Sequence, residues 1–168
     1  MSKSSAVTAN TDYPLGPALD FLQRLWQMNH ELEKLSSRME KRLGLTAQQR
    51  LLVRCLGKYP GQTAGQLAKM LHVDPGTVSA ALNRLEAKGL LERRRDPRDK
   101  RRASLGLTAK GRKLDRPAQG TVEDAVERLL RTTEGEDIRV TLSVIEQLAV
   151  LLGEQESELR SPTRSRTR

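Results

Sequence analysis

Seven consecutive residues, Asp96-Pro97-Arg98-Asp99-Lys100-Arg101-Arg102, place four cations and two carboxylates in a stretch whose Pro and Asp residues favour a turn. Arg93, Arg94 and Arg95 precede it directly. Guanidinium groups at this density suit a polyanion: they lie on phosphates or enter a narrow minor groove. Catalytic chemistry has little to work with. The two histidines, His30 and His72, are far apart, and Cys55 is the one cysteine. No phosphate-cradling glycine loop, H-E-x-x-H or nucleophile elbow occurs. The chain is therefore not expected to be an enzyme, nor to carry a metal or other cofactor, since no carboxylates cluster about the histidines.

The elements around the basic loop say what it serves. Leu105 and Leu107 alternate with smaller residues as one face of a strand does, and the run from Leu90 to Arg95 supplies the opposing strand. Upstream stand two short helical patterns. Ala64, Leu67, Ala68 and Leu71 form the first apolar face, with Thr63 as N-cap. The second opens on Asp74-Pro75, a capping side chain followed by Pro at the first helical position, and Gly89 ends it. Its apolar face is Val78, Ala81, Leu82 and Leu85. Two helices joined by a tight turn and followed by an arginine-tipped hairpin describe a winged helix-turn-helix.

Stepping about 100° per residue from Val78, Gly76, Ala80, Asn83 and Ala87 face outward, flanked by Thr77, Ser79 and Arg84. This face is small and hydrogen-bonding toward its start, as a helix entering a major groove must be. An ordinary solvated face is the alternative for the helix taken alone.

Charge is distributed to match. Residues 84–116 hold thirteen Lys/Arg against five Asp/Glu, whereas residues 117–159 hold three against ten. A basic block opposed by an acidic region is the footprint of a polyanion binder. The four aromatics, Tyr13, Phe21, Trp26 and Tyr59, all lie outside that block, so base stacking on single strands is not supported. A single cysteine suits a reducing cytoplasm, and neither a membrane-spanning run nor an apolar signal core is present.

In chain order, residues 1–14 are small, polar and aperiodic, and are expected to be disordered. A long helix follows from Leu15 to Leu43, with Leu15, Leu22, Asn29, Ser36, Leu43 and Ala18, Leu25, Leu32, Met39 as near-heptad columns. Thr46-x-x-Gln49 opens a helix to about Lys58, which Pro60-Gly61 stop. Thr108 caps a helix after the hairpin, and Pro117 and Gly120 break it near residue 116. Two further helical patterns run past Leu129 and from Ile138 to Leu152. A basic tail, 160–168, is expected to be disordered.

The run Asp-Pro-Arg-Asp-Lys-Arg-Arg followed by Leu107-Thr108-x-x-Gly111 resembles the wing signature of MarR-type regulators. Leu85-Glu86-Ala87-Lys88-Gly89-Leu90-Leu91-Glu92-Arg93 resembles that family's junction from recognition helix to wing. The resemblance is close from about residue 46 to 113. It implies a mainly α fold with a small β-hairpin wing, the winged helix-turn-helix core at 46–113. Helices 15–43 and 117–159 would be dimerisation helices, all within one domain spanning 15–159. It implies a cytoplasmic homodimer that binds a palindromic promoter site on double-stranded DNA and acts as a repressor. It also admits a small aromatic acid as a releasing effector.

Arg101 is then the residue for the minor groove, with Arg98, Lys100 and Arg102 on phosphates and Asp96 and Asp99 shaping the loop through ion pairs. The recognition-helix candidates are Pro75, Gly76, Thr77, Ser79, Ala80, Asn83 and Arg84. Thr63 offers a backbone amide to a phosphate, though capping alone would account for it. No ligand residues are assigned: Trp26, Met28, His30, Arg54 and Tyr59 fit a pocket or a core equally. Peroxide-sensing relatives carry their cysteine near the chain start, so Cys55, on an apolar helix face, reads as a structural thiol. The competing function is a winged helix used as a sequence-neutral DNA coat or protein-docking module.

Overall fold

The computed structural model describes residues 15–95 and 103–160. The readings made for residues 1–14, for the wing tip (Asp96, Arg98, Asp99, Lys100, Arg101 and Arg102) and for the tail beyond Arg160 lie outside the described residues. The element order is α1 (Pro17–Leu43), α2 (Ala47–Lys58), α3 (Ala64–Leu71), α4 (Pro75–Ala87), β1 (Leu91–Arg95), β2 (Ala103–Leu107), α5 (Ala109–Leu114), α6 (Val122–Thr132) and α7 (Gly135–Arg160). The described residues form two compact units, one ending at Val122 and the other beginning at Glu123.

The first unit is built on caps that the sequence announces. Thr46 and Thr63 each complete a capping box, with Gln49 and Gln66, so two free amides at each helix start are satisfied reciprocally. Asp74 caps α4 by accepting from the Thr77 amide at 3.0 Å, with Pro75 in the first turn. In α1, Pro17 occupies the first turn behind Gly16, two residues after the start that the heptad columns suggest. Ser36, which interrupts one of those columns, accepts the Ala47 amide at 3.0 Å and so joins α1 to the first turn of α2.

Leu45, Leu52, Val53, Leu56, Leu67, Val78, Leu82, Leu85, Leu90, Leu91, Leu105 and Leu107 are buried together as one core beneath the helix-turn-helix and hairpin. β1 and β2 pair antiparallel, with Leu91 opposite Leu107 and Arg93 opposite Leu105. A third piece of chain joins this ladder. Gly61 N–H donates to Leu105 O at 3.0 Å, and Leu105 N–H donates to Gln62 O at 2.9 Å. Two residues are too few for a periodic pattern, so the sequence does not announce this edge.

Thr108 ties the hairpin to α5. Its amide donates to Leu90 O at 3.1 Å, and its hydroxyl donates to Gly89 O at 2.7 Å while accepting from the Gly111 amide at 3.1 Å. Gly111 then passes so near Leu90 that any Cβ there would fall on the Leu90 carbonyl oxygen. The Leu-Thr-x-x-Gly spacing thus has a steric cause. α5 ends at Leu114, slightly before the break expected near residue 116.

Met39 is the one buried residue of α1, and Leu19, Phe21, Leu22, Trp26, Met28 and Leu32 are exposed, Trp26 to 66%. Within the second unit, α7 exposes Val140, Leu142, Val144, Ile145, Val150, Leu151 and Leu152. No helix among the described residues is long and apolar enough to cross a membrane.

Candidate nucleic-acid interface

α4 presents the surface that the sequence assigns to it. Val78, Ala81, Leu82 and Leu85 are buried, whereas Pro75, Gly76, Thr77, Ala80, Asn83 and Arg84 are exposed and Ser79 is half-buried. Gly76 has a specific reason to be small, because a Cβ there would stand 2.9 Å from the capping Asp74 Oδ2. The hydroxyl of Thr77 lies 3.5 Å from the same oxygen, so the cap already engages that side chain weakly. The Arg84 carbonyl accepts from the Lys88 amide at 3.1 Å, but its guanidinium has no hydrogen bond or ion pair among the described residues.

Thr63 is placed differently from a simple phosphate donor. Its amide donates to Gln66 Oε1 at 2.8 Å and its hydroxyl accepts from the Gln66 amide at 3.3 Å. A phosphate at this amide would have to displace Gln66. The turn between α3 and α4 is fixed by His72 in the left-handed region (φ 50°) and by Val73 N–H donating to Ala68 O at 3.1 Å, a Schellman closure.

The helix and the hairpin are joined by a residue that sequence reasoning left among the undifferentiated cations. Arg93 stands on β1 opposite Leu105, so its stem leaves the core-facing side of the hairpin. Its Nε donates to Glu86 Oε2 at 2.8 Å and its Nη2 to Asn83 Oδ1 at 2.6 Å, both on α4. One planar fork therefore grips two successive turns of the helix. On the other hairpin face Arg94 pairs with Glu92 at 2.6 Å. The signal in the sequence is the parity of β1: Leu91 is an inward position, so Arg93, two residues on, points the same way.

Three further arginines act structurally. Arg50, 1% exposed, donates through Nη1 to Leu114 O at 2.9 Å and through Nη2 to Arg116 O at 2.8 Å. Arg54 pairs with Asp115 Oδ1 at 2.8 Å and also donates to the Asp115 carbonyl. Arg42 donates to the carbonyls of Gln119 and Gly120. Together they clasp residues 114–120, the stretch leading to α6. Carbonyls at the end of α5 carry negative dipole charge, which suits the buried Arg50 cation.

The ligand candidates are not brought together. Arg54 and Tyr59 line a cavity of about 380 Å³ with Cys55, Gly57, Lys58 and Asp115, while Trp26, Met28 and His30 lie elsewhere, on α1. Cys55 is half-buried against the core, and burial pushes its thiol up from the ordinary value although Lys58 pulls it down. A protonated, packed thiol is a poor nucleophile. No group of histidine, cysteine and carboxylates suited to a metal ion occurs among the described residues.

Comparison with known proteins agrees with this geometry. The family model described as MarR family matches residues 45–103, which hold the helix-turn-helix and most of the hairpin. The HTH-type transcriptional repressor Rv2887 of Mycobacterium tuberculosis is 30% identical over 106 residues, covering 63% of this chain and 76% of that protein. The regulator BilQ of Clostridium symbiosum is 30% identical over 93 residues, 55% of this chain; the match spans 65% of BilQ, just under two thirds of its length. Among solved structures, the MepR–DNA complex of S. aureus superposes with a TM-score of 0.63 at 28% identity, covering 77% of this chain and 96% of that one.

Proposed function

The chain belongs to the MarR family, and from that membership we propose that it is a homodimeric, sequence-specific transcriptional regulator that represses by occupying promoter DNA. The observation that carries this reading is the solvent-facing side of α4 held by Arg93 to the base of a hairpin whose tip is crowded with Arg and Lys. A helix of that kind fits a major groove while the hairpin reaches the neighbouring backbone or minor groove. Arg101 carries the minor-groove contact, Arg98, Lys100 and Arg102 take phosphates, and Asp96 and Asp99 shape the loop between them. Thr77, Ser79, Asn83 and Arg84 face base edges, with Pro75, Gly76 and Ala80 allowing close approach and Thr63 near the backbone.

A second copy of the chain covers the apolar residues exposed along α1 and, on the other unit, those exposed along α7, because apolar helix faces of this length are rarely left to solvent. Two copies read a palindrome with half-sites roughly 34–36 Å apart or a multiple of that. The partner is double-stranded DNA, the compartment is the cytoplasm, and no catalytic role is assigned. Release by a small aromatic acid belongs to the same reading; the cavity beside Arg54 and Tyr59 offers it a cation and a ring.

Selection of binding sites from random duplex DNA, with the native protein and Arg101→Ala in parallel, tests the proposal. An enriched palindrome, weakened by the substitution, is the expected result. Tight, salt-sensitive binding to every duplex without enrichment would show a sequence-neutral coat instead.

A further inference from the structure

Asn83 is the outward α4 residue whose side-chain polarity the structure constrains. A free asparagine reads adenine with both ends of its carboxamide, accepting from N6 and donating to N7. Here the oxygen end is engaged: Arg93 Nη2 donates to Asn83 Oδ1 at 2.6 Å. Arginine has donors only, so the carboxamide must turn its oxygen toward it, and the amide orientation follows from chemistry. Arg93 is itself anchored, since its Nε donates to Glu86 Oε2 at 2.8 Å and its Cα is paired in the ladder opposite Leu105. Nδ2 has no partner among the described residues, and Asn83 is exposed.

Resting on the reading of α4 as the groove helix, we infer that Arg93 is a positioning residue that fixes Asn83 as a hydrogen-bond donor, so that Asn83 selects guanine over adenine at one base pair of each half-site. Guanine shows two acceptors in the major groove, N7 and O6. Adenine shows one acceptor beside an amino donor, and that donor meets a carboxamide whose oxygen is already drawn back to Arg93. One neutral hydrogen bond separates the two cases, a preference of about threefold to tenfold.

The test is site selection from random duplex DNA with the native protein, Asn83→Asp and Arg93→Met, read as the ratio of bases at each position of the bound pool. Asn83→Asp still accepts from Arg93 but has no donor, so the guanine preference at its base pair disappears while other positions keep theirs. Arg93→Met frees the carboxamide, and adenine rises to the level of guanine at that same position. Because the ratio is taken within bound DNA, partial loss of folded protein does not move it. Adenine preferred by the native protein at the responding position overturns the inference, and so does a base pattern unchanged in Asn83→Asp. Absence of any enriched sequence overturns the regulator reading along with it, whereas an enriched palindrome with the wrong base there overturns the donor assignment alone.

Discussion

Arg93 of β1 and Asn83 of α4 are joined by a 2.6 Å hydrogen bond from guanidinium to carboxamide, and Glu86 accepts from the same guanidinium one turn further on. The hairpin base and the outward helix face are therefore held in one arrangement before any partner binds. Ordering done in advance need not be done on binding.

Arg93→Ala is expected to lower affinity for a selected site about tenfold, the equivalent of about 1.4 kcal/mol. Its effect on unfolding should stay below about 1 kcal/mol, because the pair with Glu86 is partly solvated. Fluorescence anisotropy and urea melts on the same protein separate the two. A large stability loss with unchanged affinity would assign Arg93 to the fold alone.

Arg50 lends itself to the opposite test. Its charge is buried and both terminal nitrogens hold backbone carbonyls. Arg50→Ala leaves those carbonyls unsatisfied and should cost about 3 kcal/mol in a urea titration. Lysine, a point charge without the fork, should recover only part of that. Near-wild-type stability of the alanine variant would mean that water replaces the guanidinium without cost.

His72 holds a left-handed conformation that glycine adopts without penalty. His72→Gly should leave the turn between α3 and α4 intact and raise stability by up to about 1 kcal/mol. Calorimetry at matched pH gives the answer; destabilisation would show that the imidazole makes a contact worth more than the strain.

For Cys55 the direction of the shift fixes the sign. The folded thiol holds its proton more tightly than the unfolded one, whose ordinary value is 9.0. Its contribution to stability is complete below that value and is lost as pH rises through the folded, higher one. Iodoacetamide at pH 8 should label the native protein more slowly than the urea-unfolded chain. Equal rates would overturn the structural reading of Cys55 and favour a reactive thiol.

Salt dependence addresses the wing tip. Each phosphate neutralised contributes about −0.9 to the slope of log K against log salt. Arg98→Ala should shallow the slope by about one such increment and weaken all sequences alike. An unchanged slope would remove Arg98 from the phosphate contacts.

Local chemistry was legible in the sequence because it acts over three or four residues. The Thr46 and Thr63 caps, the Asp74-Pro75 start and the inward Leu105 and Leu107 all appear where their spacing puts them. The arginines were not, for a physical reason. Arg50 and Arg42 bond to carbonyl oxygens 64 to 78 residues away, and a carbonyl is the same in every residue. Arg93 was counted with its basic neighbours because β1 carries three cations in a row; only the strand's parity, fixed by Leu91, separates it from Arg94.

The clasp on residues 114–120 has a consequence for how this stretch can change over generations. Arg50 and Arg42 grip the main chain, so most side chains along it are free to drift without loosening the hold. Asp115 is held by its carboxylate as well, beneath a glycine, Gly57, whose Cβ would collide with it. Gly120 combines a positive φ of 67° with Arg42 standing 3.2 Å from where its Cβ would be. Homologous chains should therefore vary freely at 116, 118 and 119 while keeping an apolar residue at 114, where Leu114 packs against the core, the acid at 115 and the glycine at 120. A substitution at either should be accompanied by a change at Arg54, Gly57 or Arg42.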